Sequence, residues 1–104
     1  MTDPRVTRFR DLVAKQPANE MFRFSLAQAL ESADQTDEAE EHYRSCGKAK
    51  TDGMLPRSRL GKLLLKQGRA DQAKPLLAEA LKLAIDQDHE DPAAELQQIL
   101  ADLT

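Results

Sequence analysis

The chain matches itself, without a gap, at a shift of 34 positions. Under that shift Arg23 falls on Arg57, Leu26 on Leu60, Leu30 on Leu64, Asp37 on Asp71 and Ala39 on Ala73. Small residues coincide too, Ala27 with Gly61 and Cys46 with Ala80, and bulky Tyr43 falls on Leu77. The copies occupy residues 20–53 and 54–87. A repeat of this length is one supersecondary unit. It cannot bury its apolar stripe alone, so neighbouring copies must share a core.

Within each copy the apolar period is helical. Leu26 and Leu30 are four apart, as are Leu60 and Leu64, and Ala39, Tyr43 and Cys46 fall at i, i+4 and i+7. Ala73, Leu77, Ala80, Leu81 and Ala84 repeat that stripe, and such spacings mark one face of a helix. Polar breaks separate the stripes. Pro17-Ala18-Asn19 precedes the first copy and Thr51-Asp52-Gly53 the second. Thr36 and Asp37 offer N-caps, Gly68 suits a left-handed residue after a helix, and Asp91 before Pro92 reads as the cap of a last helix. The pattern predicts six helices, at 4–16, 19–33, 36–49, 54–67, 70–87 and 91–103. Pro75 inside the fifth removes one hydrogen bond near its start.

Composition agrees with an all-α chain. Of 104 residues, 32% are charged and only 4% aromatic, which suits exposed helices better than sheets built from β-branched and aromatic side chains. The net charge of −3 argues against nucleic acid as a partner, because phosphate binding needs clustered positive charge. No apolar run is long enough to span a membrane, and the N-terminal residues lack the pattern of a secretory signal. The single cysteine, Cys46, leaves no internal disulfide. A reducing, cytoplasmic compartment is the expectation.

Two antiparallel helices joined by a short loop need small side chains where their backbones meet. Ala27 and Gly61 on the first helix of each pair, and Ala39 and Ala73 on the second, supply them. This arrangement resembles the tetratricopeptide repeat. The segment from Leu60-Gly61 through Leu64 and Gly68 to Ala73 carries the likeness most fully, and Leu26-Ala27, Leu30, Ala39, Tyr43 and Cys46 carry it in the first copy. Both copies depart from the family early in the first helix: arginine, Arg23 or Arg57, stands where an aromatic is usual. Its stem is expected on the core and its head in water. The closing proline is also replaced, by Thr51 and Ile85.

The resemblance implies a single domain over 1–104. Residues 4–16 form a flanking helix through Phe9, Leu12 and Val13. Residues 91–103 form a capping helix through Leu96, Ile99, Leu100 and Leu103, displaced by about two positions from the 34-residue frame. The Met start and the closing helix are those expected of a whole small protein. The fold implied is a helix–turn–helix solenoid of six antiparallel helices. In this family the first helices line a concave groove that holds a ligand. The matching positions are Met21, Phe24, Ser25, Gln28, Glu31 and Ser32 in one copy, and Leu55, Ser58, Arg59, Lys62, Leu65 and Lys66 in the other. Phe24, Gln28, Glu31, Leu55, Arg59, Lys62, Leu65 and Lys66 are the expected partner-binding residues. A mixed apolar and basic groove suits a peptide or protein segment with acidic groups; the alternative is that Phe24 and Leu65 pack on flanking helices and the lysines are solvated. The carboxylate clamp found in some members is missing, since Phe24 and Gln28 stand where its first Lys and Asn belong.

Catalytic signals are weak. His42 precedes Cys46 by one turn, yet Cys46 fills a position that packing requires to be small, and a buried thiol is inert. The acidic run Asp86-Gln87-Asp88-His89-Glu90-Asp91 lacks the spacing of a calcium loop and reads as a solvated linker favouring a helix N-terminus. No Gly-rich phosphate loop, G-x-S-x-G or H-E-x-x-H occurs. The expectation is a non-catalytic interaction module that needs no cofactor or metal. The alternative is a structural unit that self-assembles through its terminal helices; the chain is expected as a monomer or a weak homo-oligomer.

Overall fold

The computed structural model describes residues 3–49 and 53–103, with side-chain environments given for 3–46 and 53–103. Among these residues the regular structure is six helices and no strand: α1 (Pro4–Lys15), α2 (Glu20–Ser32), α3 (Thr36–Ala49), α4 (Met54–Lys66), α5 (Ala70–Asp86) and α6 (Glu90–Asp102). No helix among them is long and apolar enough to cross a membrane. Thr51 and Asp52, part of the break predicted before the second copy, lie outside the described residues.

The helices form two compact units. In the first, α1 packs on α2 and α2 on α3; in the second, α4 packs on α5 and α5 on α6. The 34-residue register is visible in both. α2 and α4 begin at Glu20 and Met54, and α3 and α5 at Thr36 and Ala70, each pair one repeat apart. Every residue matched in the apolar stripe is buried: Leu26 and Leu60, Ala27 and Gly61, Leu30 and Leu64, Ala39 and Ala73, Tyr43 and Leu77, Cys46 and Ala80. Each fully buried leucine contributes about 1.5–3 kcal/mol by leaving water. Val6 anchors α1 and Leu96 anchors α6.

The turns are as regular as the stripes. After α2, Asp34 takes a left-handed φ of 61°, and after α4 Gly68 takes 73°. In both, the next amide reaches back to close the helix: Gln35 N donates to the Leu30 carbonyl and Arg69 N to the Leu64 carbonyl, each at 2.9 Å. Asp88, φ 56°, makes the same turn after α5, with His89 N donating to the Ala84 carbonyl at 2.8 Å. These bonds satisfy carbonyls that a helix C-terminus otherwise leaves unpaired.

Two predicted caps shift by a residue or more. α3 begins at Thr36 itself, so the flanking residue is Gln35, whose carbonyl accepts from Ala39 N at 3.1 Å. α6 is flanked by His89 rather than Asp91. Starting α6 at Glu90 leaves both Glu90 and Asp91 in its first turn, where the helix dipole favours negative charge. Side chains cap the N-termini of α1 and α2: the Asp3 carboxylate accepts from Arg5 N at 2.8 Å, and the Asn19 side chain accepts from Phe22 N at 3.2 Å; Gly53 and Arg69, which flank α4 and α5, make no such bond. Pro75 lies inside α5, where it lacks the N–H that the Asp71 carbonyl needs.

Candidate interaction surface

Three helices each present a row of residues at i, i+4, i+7 and i+11, which share one side of a helix. On α2 the row is Met21, Ser25, Gln28 and Ser32; on α4 it is Leu55, Arg59, Lys62 and Lys66. These two rows are in register with the repeat. Each opens with a large apolar residue that remains exposed, Met21 at 73% and Leu55 at 56%. On α6 the corresponding row is Asp91, Glu95, Gln98 and Asp102, all exposed. The α2 row is uncharged, the α4 row is basic and the α6 row is acidic.

The eight residues expected to bind a partner divide by their surroundings. Arg59 and Lys66 are exposed along with Leu55. Gln28 and Leu65 are half-buried. Lys62 forms an ion pair with Glu95 of α6. Phe24 and Glu31 are both engaged with one residue of α3, Tyr43. The Phe24 ring meets the Tyr43 ring edge-on, with centroids 5.8 Å apart, and the Tyr43 hydroxyl donates to a Glu31 oxygen at 2.9 Å. Ser58, at the position of Phe24 in the second copy, is buried.

Arg23 and Arg57, matched by the 34-residue repeat, do not leave their heads in water. Arg57 Nε donates to Glu79 of α5 at 3.1 Å, and its Nη1 donates to the Gly53 carbonyl at 2.9 Å. Arg23 Nη2 donates to the Pro17 carbonyl and Nη1 lies against His42 Nδ1, both at 3.3 Å. A guanidinium carries five donors in a rigid fork. It can therefore tie the first helix of a pair to the second and to the loop behind it, which an aromatic ring cannot.

Around His42 the contact with Arg23 continues into a network spanning the first unit. Arg10 of α1 grips the Glu38 carboxylate with both terminal nitrogens, Nη2 to Oε1 at 2.8 Å, and Glu38 Oε2 lies 3.7 Å from His42 Nε2. The Arg10 hydrogen bonds hold the Glu38 carboxyl below its ordinary range. Burial, reinforced by the nearby Arg23 charge, pushes the His42 imidazole below its ordinary value, and Glu38 opposes this only in part.

Cys46 is buried, and its thiol points at the Glu20 carbonyl, 3.8 Å away. Burial raises its pKa, which disfavours the thiolate that nucleophilic chemistry requires. His42 is turned toward Arg23 and Glu38 instead. In the acidic run, Asp88 forms the turn after α5, His89 flanks α6, and Glu90 and Asp91 occupy its first turn.

Sequence reasoning missed the acidic row of α6 and its link to α4. The signal was present: the same i, i+4, i+7, i+11 spacing recurs 36 rather than 34 positions after α4. A scan against protein-family models finds none that matches this chain, and a search of curated proteins finds no match.

Proposed function

We propose that this chain is a non-catalytic interaction module of the tetratricopeptide-repeat type, acting in the cytoplasm, that binds a peptide or protein segment carrying acidic groups. The observation that supports this is the row Leu55, Arg59, Lys62 and Lys66, which sets an exposed apolar residue beside three cations on one side of α4. Leu55 offers the anchor that contacts in water need, and the cations select carboxylates and speed encounter.

The test is selection from a random peptide library with the wild-type chain and with an Arg59→Glu/Lys62→Glu variant. Peptides enriched in Asp and Glu, retained by the wild type and lost by a variant whose helical circular dichroism is unchanged, are the expected result. Equal retention by both proteins would remove α4 from the site.

A further inference from the structure

Within the second unit the basic row of α4 and the acidic row of α6 adjoin, because Lys62 and Glu95 touch. That pair also fixes their register. α4 and α6 run in the same direction, since α5 reverses the chain between them through two short turns. Arg59 lies three residues before Lys62, and Asp91 four before Glu95. At 1.5 Å of rise per residue they stand level to within about 1.5 Å. Lys66, four residues after Lys62, stands between the levels of Gln98 and Asp102, which are hydrogen-bonded to each other at 3.0 Å. A face with a positive helix beside a negative one, in matched register, is complementary to itself. A two-fold axis parallel to the helices and midway between them lays α4 of one copy on α6 of the other. It opposes Arg59 to Asp91, Lys62 to Glu95 and Lys66 to the Gln98–Asp102 pair, twice over.

We propose that this face of the second unit docks a second copy of the same chain, α4 of each copy taking the acidic row of α6 of the other. This deepens the proposed function and rests on it: α4 still binds an acidic segment, and that segment is supplied by α6. Two 13-residue helices side by side, each about 20 Å long and about 10 Å wide, offer about 400 Å² per copy. That is the size of a weak, reversible contact, not of an obligate dimer. Its strength comes from charges in water, so salt screens it.

The experiment is sedimentation equilibrium of the full chain over a wide concentration range. It is run at about 0.01 M salt, where charges are felt over about 30 Å, and at about 1 M, where they are felt over about 3 Å. Two variants accompany the wild type, both keeping Lys62 and Glu95. Arg59→Glu/Lys66→Glu makes both rows acidic, and Asp91→Lys/Asp102→Lys makes both rows basic. The wild type is expected to rise toward twice the monomer mass at low salt and to stay monomeric at high salt. Each variant alone is expected to stay monomeric, and their equimolar mixture to associate, because every contact in the mixed pair is again between opposite charges. A wild type that is monomeric at every concentration in low salt overturns the proposal. So does a variant that associates alone as the wild type does, or a mixture that stays monomeric. The Asp91→Lys/Asp102→Lys variant keeps α4 intact. If it still retains acidic library peptides while the wild type fails to self-associate, the homotypic contact falls and the binding function of α4 stands.

Discussion

Asp34 and Gly68 stand one repeat apart and adopt the same left-handed backbone, with φ of 61° and 73°. The geometry is common to both turns, but only the second has the residue that adopts it without strain. An L-residue other than Asn or Asp in this region costs about 1–2 kcal/mol, and aspartate somewhat less. A Cβ on Gly68 would have nothing within 4 Å, so the backbone alone decides the effect there. Gly68→Ala is expected to destabilise by about 1 kcal/mol and Asp34→Gly to stabilise by a few tenths to about 1 kcal/mol. Urea denaturation of the two variants checks this. Shifts of the same sign would show that the turn conformation does not control either position.

Gly61 has no such conformational reason to be glycine, because it lies inside α4. Its reason is Leu77. A Cβ built on Gly61 would come within 2.6 Å of Leu77 Cδ2 and 2.7 Å of Cγ, and Leu77 is fully buried. Gly61→Ala therefore gains helix propensity of about 1 kcal/mol but overpacks the α4–α5 contact, which costs about 1–3 kcal/mol. The net expectation is a loss. Leu77→Ala alone should cost about 2–5 kcal/mol. The double variant is expected to cost less than the sum of the two, since truncating Leu77 makes room for the new methyl. A double-mutant cycle by denaturation measures that coupling; strict additivity would place the clash elsewhere.

Tyr43 fills the position in the first unit that Leu77 fills in the second, and adds a hydroxyl that donates to Glu31. Tyr43→Phe keeps the ring, including its edge-on contact with Phe24, and removes that bond. A loss of about 1 kcal/mol is expected. Glu31→Gln retains an acceptor and should lose less. If Tyr43→Phe proves neutral in denaturation, Glu31 gains nothing from Tyr43 that water does not supply.

How far the sequence revealed this structure depended on the range of the interaction. Helix positions followed from stripes of neighbouring residues such as Leu26 and Leu30, and the left-handed turn from a single Gly68. The all-α class needed only those. The fate of the charges needed more. Lys62 meets Glu95, Arg10 meets Glu38 and Arg57 meets Glu79 from one helix to another, beyond the i, i+3 and i, i+4 range, so local spacing could not pair them. Glu31 was expected at a binding surface and is engaged with Tyr43 because α2 and α3 pack at that level. The two-residue displacement of α6 was legible, but its consequence, an acidic row beside a basic one, required the register that Lys62 and Glu95 set.

His42 carries the last expectation, because its surroundings fix the sign of a pH effect. Arg23 of α2 and Arg10 of α1 bring positive charge toward the imidazole, and the Glu38 carboxylate on its own helix opposes them. Burial and Arg23 prevail, so the folded chain holds His42 below the ordinary histidine value of 6.5. The unfolded chain therefore takes up the proton first. Stability from the neutral imidazole is complete above 6.5 and falls as the pH drops below it. Glu38 is also held below its ordinary value of 4.5, so its contribution is complete above that value and declines only in more acid solution. Thermal unfolding followed from neutral to mildly acid pH should show a loss that His42→Gln flattens. Glu38→Gln should lessen the further loss below 4.5, part of which comes from Asp3, whose carboxyl the Arg5 hydrogen bonds also hold low. An NMR titration of the His42 ring protons in the folded chain decides the sign directly. A midpoint at or above 6.5 would mean that Glu38 outweighs burial and Arg23, and the acid destabilisation would then need another source.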